Sequence, residues 1–302
     1  MTISVRDVAT LAGVSVGTVS NVLNRPDRVS EAIVARVQAA IQELGYVRND
    51  AARQLRAGHS QTLGLVVLDV GNPFFTDLAR GAEARAAEAG LSVLLGNSDD
   101  DAARESAYID LFDEQRVRGV MISPIGDVTE RLERLRSRGT PAVFVDRRAG
   151  TSGFSSVSTD DVAGGRLAAE HLLERGRRRI AFVGGPFDLH QVADRFAGAQ
   201  AAVAGVAGAS IEMIETSALS VDAGRDAGSR IVALPPAERP DAVFAANDLL
   251  AVGVLQALVM LSSLRVPDDV ALVGYDDIAF ASATVVPLTS VRQPSQLIGR
   301  TG

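Results

Sequence analysis

The pattern of apolar and polar residues divides the chain into a short helical head and a longer body of alternating strands and helices. In the head, a capping box and apolar residues at helical spacing predict a helix that begins at Val5 and ends at Gly13. Ser15 is suited to cap a second helix, and a third is predicted from Ser30 to about Leu44. Three short helices of this kind form a minimal domain with a small core.

Two short helices joined by a tight glycine turn are typical of a helix-turn-helix unit, although a plain helical hairpin has the same spacing. The second helix favours the first interpretation, because the sequence has no carboxylate between Asp7 and Asp27 that would repel phosphates. Its outward positions are small or polar: Val16, Gly17, Thr18, Ser20 and Asn21. The head is therefore predicted to bind DNA through this helix.

Residues 48–60 form a predicted hinge between the head, residues 1–47, and the body, residues 61–302. Asn49 can cap a helix over residues 50–57, which at about two turns is too short to be stable alone. We expect this helix to fold only when DNA or a second copy of the chain holds it.

The body begins with a continuous apolar run, Leu63–Leu68, which is typical of a parallel strand buried on both faces. Helical and strand patterns then alternate, which predicts two successive doubly wound parallel sheets and hence a two-lobed α/β body. The strands end in polar or small residues, including Asp69, Asp146 and Asp276. Since ligands bind at the carboxyl ends of such strands, these residues indicate a cleft for a small polar molecule.

Charge is distributed unevenly along the 302 residues, whose net charge is −7. Residues 1–60 contain seven Arg and five Asp or Glu, so they carry +2 and the other 242 residues carry −9. A basic head on an acidic body is consistent with local contact to nucleic acid. The sequence has no Cys, which excludes disulfides, cysteine–zinc sites and thiol catalysis. It shows no long apolar run and no signal peptide, so a cytoplasmic protein without a membrane span is expected.

An enzyme and a plain solute-binding protein are the two alternatives. None of the three histidines, His59, His171 and His190, stands in a triad-like motif, and no phosphate-binding glycine motif occurs. The run Asp99-Asp100-Asp101 precedes a predicted helix, where carboxylates are more often caps than metal ligands. The sequence therefore predicts neither catalysis nor a metal or cofactor. The head and the missing signal peptide argue against a solute-binding protein.

Several stretches together resemble the lactose-repressor/galactose-repressor (LacI/GalR) family of bacterial transcription regulators. They cover nearly the whole chain, and the pattern in the head is highly specific. The matching stretches include Val5-Arg6-Asp7-Val8-Ala9, Ala12-Gly13-Val14-Ser15-Val16-Gly17-Thr18-Val19-Ser20-Asn21-Val22-Leu23-Asn24, Gly71-Asn72-Pro73-Phe74-Phe75, Asp194-Arg195-Phe196-Ala197-Gly198 and Leu272-Val273-Gly274-Tyr275-Asp276-Asp277.

The resemblance implies a homodimeric repressor that binds a palindromic operator with one head per half-site. It implies base-reading roles for Val16, Gly17 and Asn21, phosphate contacts for Thr18, Ser20 and Asn24, and further DNA contacts for Ser15 and Arg28. Leu55 matches a hinge leucine that wedges into the minor groove. Asn21, which can pair with adenine, stands where the family more often has Arg or His, and Gly17 stands where it has a larger side chain.

The body resembles periplasmic sugar-binding proteins, which implies that a small polar effector, a sugar, controls operator affinity from the cleft between the lobes. The implied effector residues are Phe75, Asp146, Arg195, Asn247 and Asp276, with Arg147, Gln191 and Leu219 as neighbours. Leu219 stands where purine-binding members have a stacking aromatic, which favours a sugar over a purine. Asn247 has a second interpretation as a helix cap.

The resemblance also implies how the lobes divide. The first lobe is expected over about residues 61–158 plus 289–302, and the second over about 159–288, with strand Thr289–Val291 crossing back to the first lobe. Bodies of this family continue well past the segment that matches Ser290–Gly302. The sequence therefore predicts a truncated body that lacks the final strands.

Overall fold

The computed structural model describes residues 3–46 and 60–302, and the chain divides into two compact units, Met1–Ser60 and Gln61–Gly302. The predicted hinge helix over residues 50–57 and Leu55 lie outside the described residues. In the described part of the chain, no helix is long and apolar enough to cross a membrane.

The head consists of three helices that begin where the sequence predicts: α1, Val5–Ala12, α2, Val16–Asn24, and α3, Glu31–Leu44. A short 3-10 helix, Pro26–Arg28, links α2 to α3. The capping box between Ser4 and Asp7 is confirmed, and Gly13 ends α1 in the left-handed conformation at φ 61°. The Ser15 hydroxyl caps α2 by accepting the Thr18 N–H at 3.0 Å.

The core of the head is small and lies where the three helices meet. Val8, Val19 and Val37 are fully buried there, one from each helix. Arg36 of α3 adds a polar link, because its guanidinium donates to the carbonyl oxygens of Ala12 and Gly13. These bonds satisfy free carbonyls at the end of α1 and hold the turn that sets the direction of α2.

The first sheet of the body has five parallel strands in the order β2-β1-β3-β4-β5. Its strands are β1, Thr62–Val67, β2, Ser92–Asn97, β3, Gly119–Ile122, β4, Ala142–Val145, and β5, Ser155–Val157. The helices between them are α4, Pro73–Glu88, α5, Ala102–Glu114, and α6, Thr129–Ser137. The edge strand β5 is an element that the sequence pattern does not predict.

The second sheet also has five parallel strands, in the order β10-β9-β8-β6-β7. Its strands are β6, Arg179–Gly184, β7, Ser210–Glu215, β8, Ala242–Ala245, β9, Ala271–Asp276, and β10, Thr289–Arg292. The accompanying helices are α7, Asp161–Glu174, α8, His190–Ala204, α9, Val221–Ala233, and α10, Asp248–Met260. The two-lobed α/β architecture with two parallel sheets is thus confirmed.

The predicted lobe boundary near residue 289 is wrong. Strand β10 pairs with β9 in the second sheet, with Thr289 opposite Val273, and the Ser290 hydroxyl donates to Asp248 at 2.7 Å. The chain crosses back only after this strand, and α11, Ser295–Thr301, packs on α4 of the first lobe. A Cβ on Gly299 would lie 1.9 Å from the Leu78 carbonyl oxygen, so the glycine permits this close approach.

Candidate DNA-binding and ligand-binding sites

Helix α2 presents one face to the core of the head and the opposite face outward. Val19 and Val22 are buried, whereas Val16, Gly17 and Asn21 are exposed, with Val16 at 42%. The three positions implied to read bases therefore lie on one accessible face of the helix. Within the described residues the Asn21 side chain makes no hydrogen bond, so its amide is available to a base edge.

The residues implied to hold phosphates are positioned by hydrogen bonds at the two ends of α2. At its start, the Ser15 and Thr18 hydroxyls lie 2.9 Å apart, beside N–H groups of the first turn that have no acceptor in the helix. At its end, Asn24 Nδ2 donates to the Ser20 carbonyl oxygen at 2.8 Å. Arg28 is exposed in the 3-10 helix that follows. Ser15 and Thr18 thus lie at the start of α2, Asn24 lies at its end, and Arg28 lies beyond it.

A cavity of about 440 Å³ opens in the body at the carboxyl ends of strands from both lobes. Seven of the eight implied effector residues line it: Phe75, Asp146, Gln191, Arg195, Leu219, Asn247 and Asp276. Asn247 combines both of its interpretations, because its Oδ1 caps α10 by accepting the Leu250 N–H at 2.9 Å while the residue lines the cavity. The topology thus gathers residues from separate parts of the chain in one cleft.

Arg195 lines the cavity and is 3% exposed. Its Nε donates to Asp161 Oδ1 and one terminal nitrogen to the Ala246 carbonyl oxygen, both at 2.8 Å. The guanidinium carbon lies 3.7 Å from the centroid of the Tyr275 ring, and a guanidinium nitrogen lies 3.9 Å from Asp276 Oδ1. Burial alone would lower the pKa of Arg195, but Asp161 and Asp276 raise it, so the group stays charged.

Two buried carboxylates face the same cavity. Burial and Asp161 raise the pKa of Asp146 well above its ordinary value, against the opposing effect of Arg195. Among the described residues, Asp146 Oδ1 has no hydrogen-bond partner. Burial also raises the pKa of Asp276 to about 6, although Arg195 and the Gln293 side chain oppose the shift. Both backbones have positive φ, 59° at Asp146 and 105° at Asp276, a strained conformation for non-glycine residues that is enriched at functional sites.

Arg147 differs from the expectation that it would join the other effector residues. Its guanidinium donates to the Gly126 carbonyl oxygen at 2.6 Å and lies 3.0 Å from His190 Nε2 of the second lobe. It lines a neighbouring cavity of about 620 Å³ instead. The reason is that the Pro124 and Gly126 carbonyl oxygens accept hydrogen bonds from its guanidinium and so hold the side chain at the second cavity.

Sequence reasoning did not assign several further polar residues to the cavity. Burial, followed by the charges of Asp69, Asp99 and Asp188, raises the pKa of Asp100 to about 6. Asp101 is a cap, as its position predicted, since its Oδ1 accepts the Ala103 N–H at 2.7 Å. Asp69 and Asn72, in the stretch after β1 that the sequence indicates for the cleft, also line the cavity. The unassigned polar lining residues are Asp99, Asp100, Ser217, Ser220 and Gln293. Asp99 and Asp100 follow strand β2, a signal that could have identified them.

A helix-turn-helix head combined with a two-lobed body that encloses a buried polar cleft defines a ligand-responsive DNA-binding transcription regulator. Residues 4–49 match the family model of bacterial regulatory proteins of the lacI family, and residues 169–302 match that of the periplasmic binding protein-like domain. The chain belongs to the lacI family of bacterial regulatory proteins. Members of this family are transcription regulators and not enzymes.

Individual relatives match over almost the whole chain. The ribose operon repressor of Escherichia coli (strain K12) is 36% identical, over 98% of this chain and 89% of the relative. The lac repressor dimer bound to operator and the anti-inducer ONPF has a TM-score of 0.84 at 27% identity, over 100% of this chain and 90% of that chain. A complex of the regulator CelR with cellobiose has a TM-score of 0.71 at 33% identity, over 99% and 90%.

Proposed function

We propose that the chain is a repressor that binds a palindromic operator as a homodimer. A sugar in the body cleft lowers or raises its affinity for that operator. The observation that carries the proposal is the convergence of Asp146, Arg195, Asn247 and Asp276 on one buried cavity, in a chain whose head presents an exposed reading helix. A regulator controlled by a ligand needs both sites.

The chemistry of the cavity supports a polyhydroxylated ligand. Carboxylates accept hydrogen bonds from hydroxyl groups, and a guanidinium donates to their oxygens, so Asp146, Asp276 and Arg195 can together orient a sugar ring. The cavity volume of about 440 Å³ lies in the range for small-molecule sites. Leu219 supplies an apolar contact but no aromatic face for a purine. The CelR complex with cellobiose supports the same class of ligand.

The head supports specific recognition of a duplex with a restricted set of contacts. Asn21 can form two hydrogen bonds with adenine in the major groove. Gly17 has no side chain to contact a base and can only let the helix backbone come close to the DNA. The exposed Val16 can contact a thymine methyl group. The hydroxyls of Thr18 and Ser20 flank this face and suit phosphate contacts that position the helix without specifying sequence. The operator-bound lac repressor dimer supports two heads on one operator.

The test uses the full chain and has two parts. Selection from a random DNA pool should return paired half-sites related by two-fold symmetry, and a panel of sugars should raise the melting temperature of the protein and change its affinity for the selected DNA. Asn21→Ala should weaken DNA binding without changing sugar binding, and Asp276→Ala should do the reverse. If no sugar shifts the melting temperature, or if the selected sites lack symmetry, the proposal is contradicted.

A further inference from the structure

We propose that Asp248 and Ser290 are positioning residues of the ligand site: they clamp the strained turn at Asp276 and Asp277 and so fix the direction of the Asp276 carboxylate in the cleft. Both lie outside the set of described residues that line the cavity. The inference rests on the proposed function, because it takes Asp276 to bind the effector. It adds two residues that set ligand affinity through Asp276 without touching the ligand.

The turn that follows β9 has a strained backbone. Asp276 has φ 105° and Asp277 has φ 55°, so two successive non-glycine residues have positive φ. Such conformations cost free energy and persist only where surrounding contacts hold the backbone. Asp276 is the last residue of β9 and lines the cavity. The contacts that hold this turn therefore also determine where the Asp276 carboxylate points.

Asp248 and Ser290 supply these contacts from two other elements. The Ser290 hydroxyl, on β10, accepts the Asp277 N–H at 2.9 Å. Asp248 Oδ2, in the first turn of α10, accepts the Ile278 N–H at 2.9 Å. The Ser290 hydroxyl donates to Asp248 Oδ1 at 2.7 Å, which joins the two contacts. One pair of side chains thus fixes the two consecutive backbone N–H groups that follow Asp276.

The Asp248 carboxylate lies inside the second lobe and is 0% exposed. A Cβ on Gly274, which is opposite Ser290 in the register of β9 and β10, would lie 2.1 Å from Asp248 Oδ1. Strand β9 therefore needs a glycine there to admit the carboxylate. Burial raises the pKa of Asp248 to about 7, and the hydrogen bonds from Ser290 and Ile278 oppose this shift. These bonds stabilise the ionised form, which can accept both of them.

The position of the turn matters because the Asp276 carboxylate has fixed partners. Its Oδ1 accepts Gln293 Nε2 at 2.8 Å, and a guanidinium nitrogen of Arg195 lies 3.9 Å from the same oxygen. The Asp277 side chain points to another partner, Arg292 of β10, at 2.5 Å. Without the clamp the turn can relax toward negative φ. Asp276 would then turn away from these partners and from a bound ligand.

Hydrogen exchange of the full chain without ligand tests the clamp. Ser290→Ala removes the hydroxyl that joins the two contacts, and Asp248→Asn replaces a carboxylate oxygen with an N–H donor. NMR should show that the Asp277 and Ile278 amides exchange at least about ten-fold faster in each variant, relative to amides elsewhere in the second sheet. The control is Val243→Ala, a fully buried position of β8, which should destabilise the lobe without this local effect.

Calorimetric titration at pH 8, where Asp248 is largely ionised, tests the effect on the ligand site. Among D-ribose, D-glucose and cellobiose, the sugar that binds the wild type most tightly is the probe. Ser290→Ala should weaken its binding about five- to ten-fold, and Val243→Ala should leave it unchanged. In the Asp276→Asn background Ser290→Ala should cause no further loss, because it acts through Asp276. Independent contributions would add instead.

Three results would overturn the inference and leave the proposed function standing. These are exchange at the Asp277 and Ile278 amides that is no faster in Ser290→Ala than in Val243→Ala, unchanged sugar affinity in Ser290→Ala, and losses that add in the Asp276→Asn background. If none of the three sugars binds the wild type, the proposed function fails and the inference fails with it, even when the exchange results are as expected.

Discussion

Replacing Arg195 with Met should destabilise the body strongly at neutral pH and only weakly at acidic pH. Met preserves most of the apolar stem and removes the guanidinium. Arg195 and Asp161 are 3% and 7% exposed, so the pair is screened little by solvent. Its removal leaves Asp161, Asp146 and Asp276 without a buried counter-charge. Loss of one partner of a buried pair costs about 3–5 kcal/mol, which is the expected loss in free energy of unfolding at pH 7.5.

The pH dependence follows from the direction of the pKa shifts. The pKa of Asp276 is already raised to about 6, and Arg195 opposes that shift. Without Arg195 the folded chain would hold protons on Asp146 and Asp276 to still higher pH, whereas the unfolded chain releases them near pH 4. Stability of the variant should therefore fall further than that of the wild type as pH rises from 5 to 7.5. At pH 5, below the pKa of Asp276, that carboxyl is largely protonated, so the loss should shrink to about 1–2 kcal/mol for the lost hydrogen bonds.

Urea unfolding followed by far-ultraviolet circular dichroism at pH 5 and pH 7.5 measures both numbers. The double variant Arg195→Met with Asp161→Asn removes one of the orphaned charges and should recover part of the loss at pH 7.5. A loss below about 1 kcal/mol at pH 7.5, or an equal loss at both pH values, would refute the electrostatic account of this cluster.

Three further perturbations test other parts of the molecule. Asn21→Ala should weaken binding to the selected operator about ten-fold and relax one base position of each half-site, while the salt dependence of affinity stays unchanged in titrations at two salt concentrations. Gly165→Ala should lower the free energy of unfolding by about 1–3 kcal/mol, because its Cβ would lie 1.9 Å from a backbone oxygen of α8. Gly126→Ala is the control, because its Cβ would lie in open space, and it should leave the free energy of unfolding nearly unchanged. Burial raises the pKa of Asp248 to about 7, so wild-type stability falls as pH rises from about 4 to 7, and Asp248→Asn should flatten this fall in urea titrations. A wild-type slope in that variant would contradict the assignment.

The helices and most strands follow from the sequence because local signals and tertiary structure agree. Side-chain caps begin several helices where the sequence places them, as at Ser15, Asp101 and Asn247. Buried parallel strands appear as apolar runs, as in β1 and β8. Agreement between levels of structure makes such elements predictable.

The elements that the sequence did not predict correctly lack such signals. Strand β5 has three residues, two of them exposed serines, and it is a strand only because it pairs with β4. The sequence of strand β10 does not indicate which sheet it joins. Its hydrogen bonds to β9 place it in the second sheet, so the predicted assignment to the first lobe was wrong. Gln293 belongs to no periodic pattern. Its place in the cavity wall depends on the crossing of the chain between the lobes, which only the assembled fold determines.

That crossing connects the ligand cavity to the segments that join the lobes. Gln293 lies between β10 and α11, and Thr159 lies in the separate crossover between β5 and α7. Gln293 Nε2 donates to Asp276 Oδ1 at 2.8 Å, and its Oε1 accepts the Thr159 hydroxyl at 2.6 Å. A ligand hydroxyl bound to Asp276 would therefore share this carboxylate with Gln293, whose two hydrogen bonds link the crossovers. A ligand shifts a conformational equilibrium only when it contacts the two states of the protein differently. We therefore expect a ligand in the cleft to act on the arrangement of the lobes through this chain of hydrogen bonds.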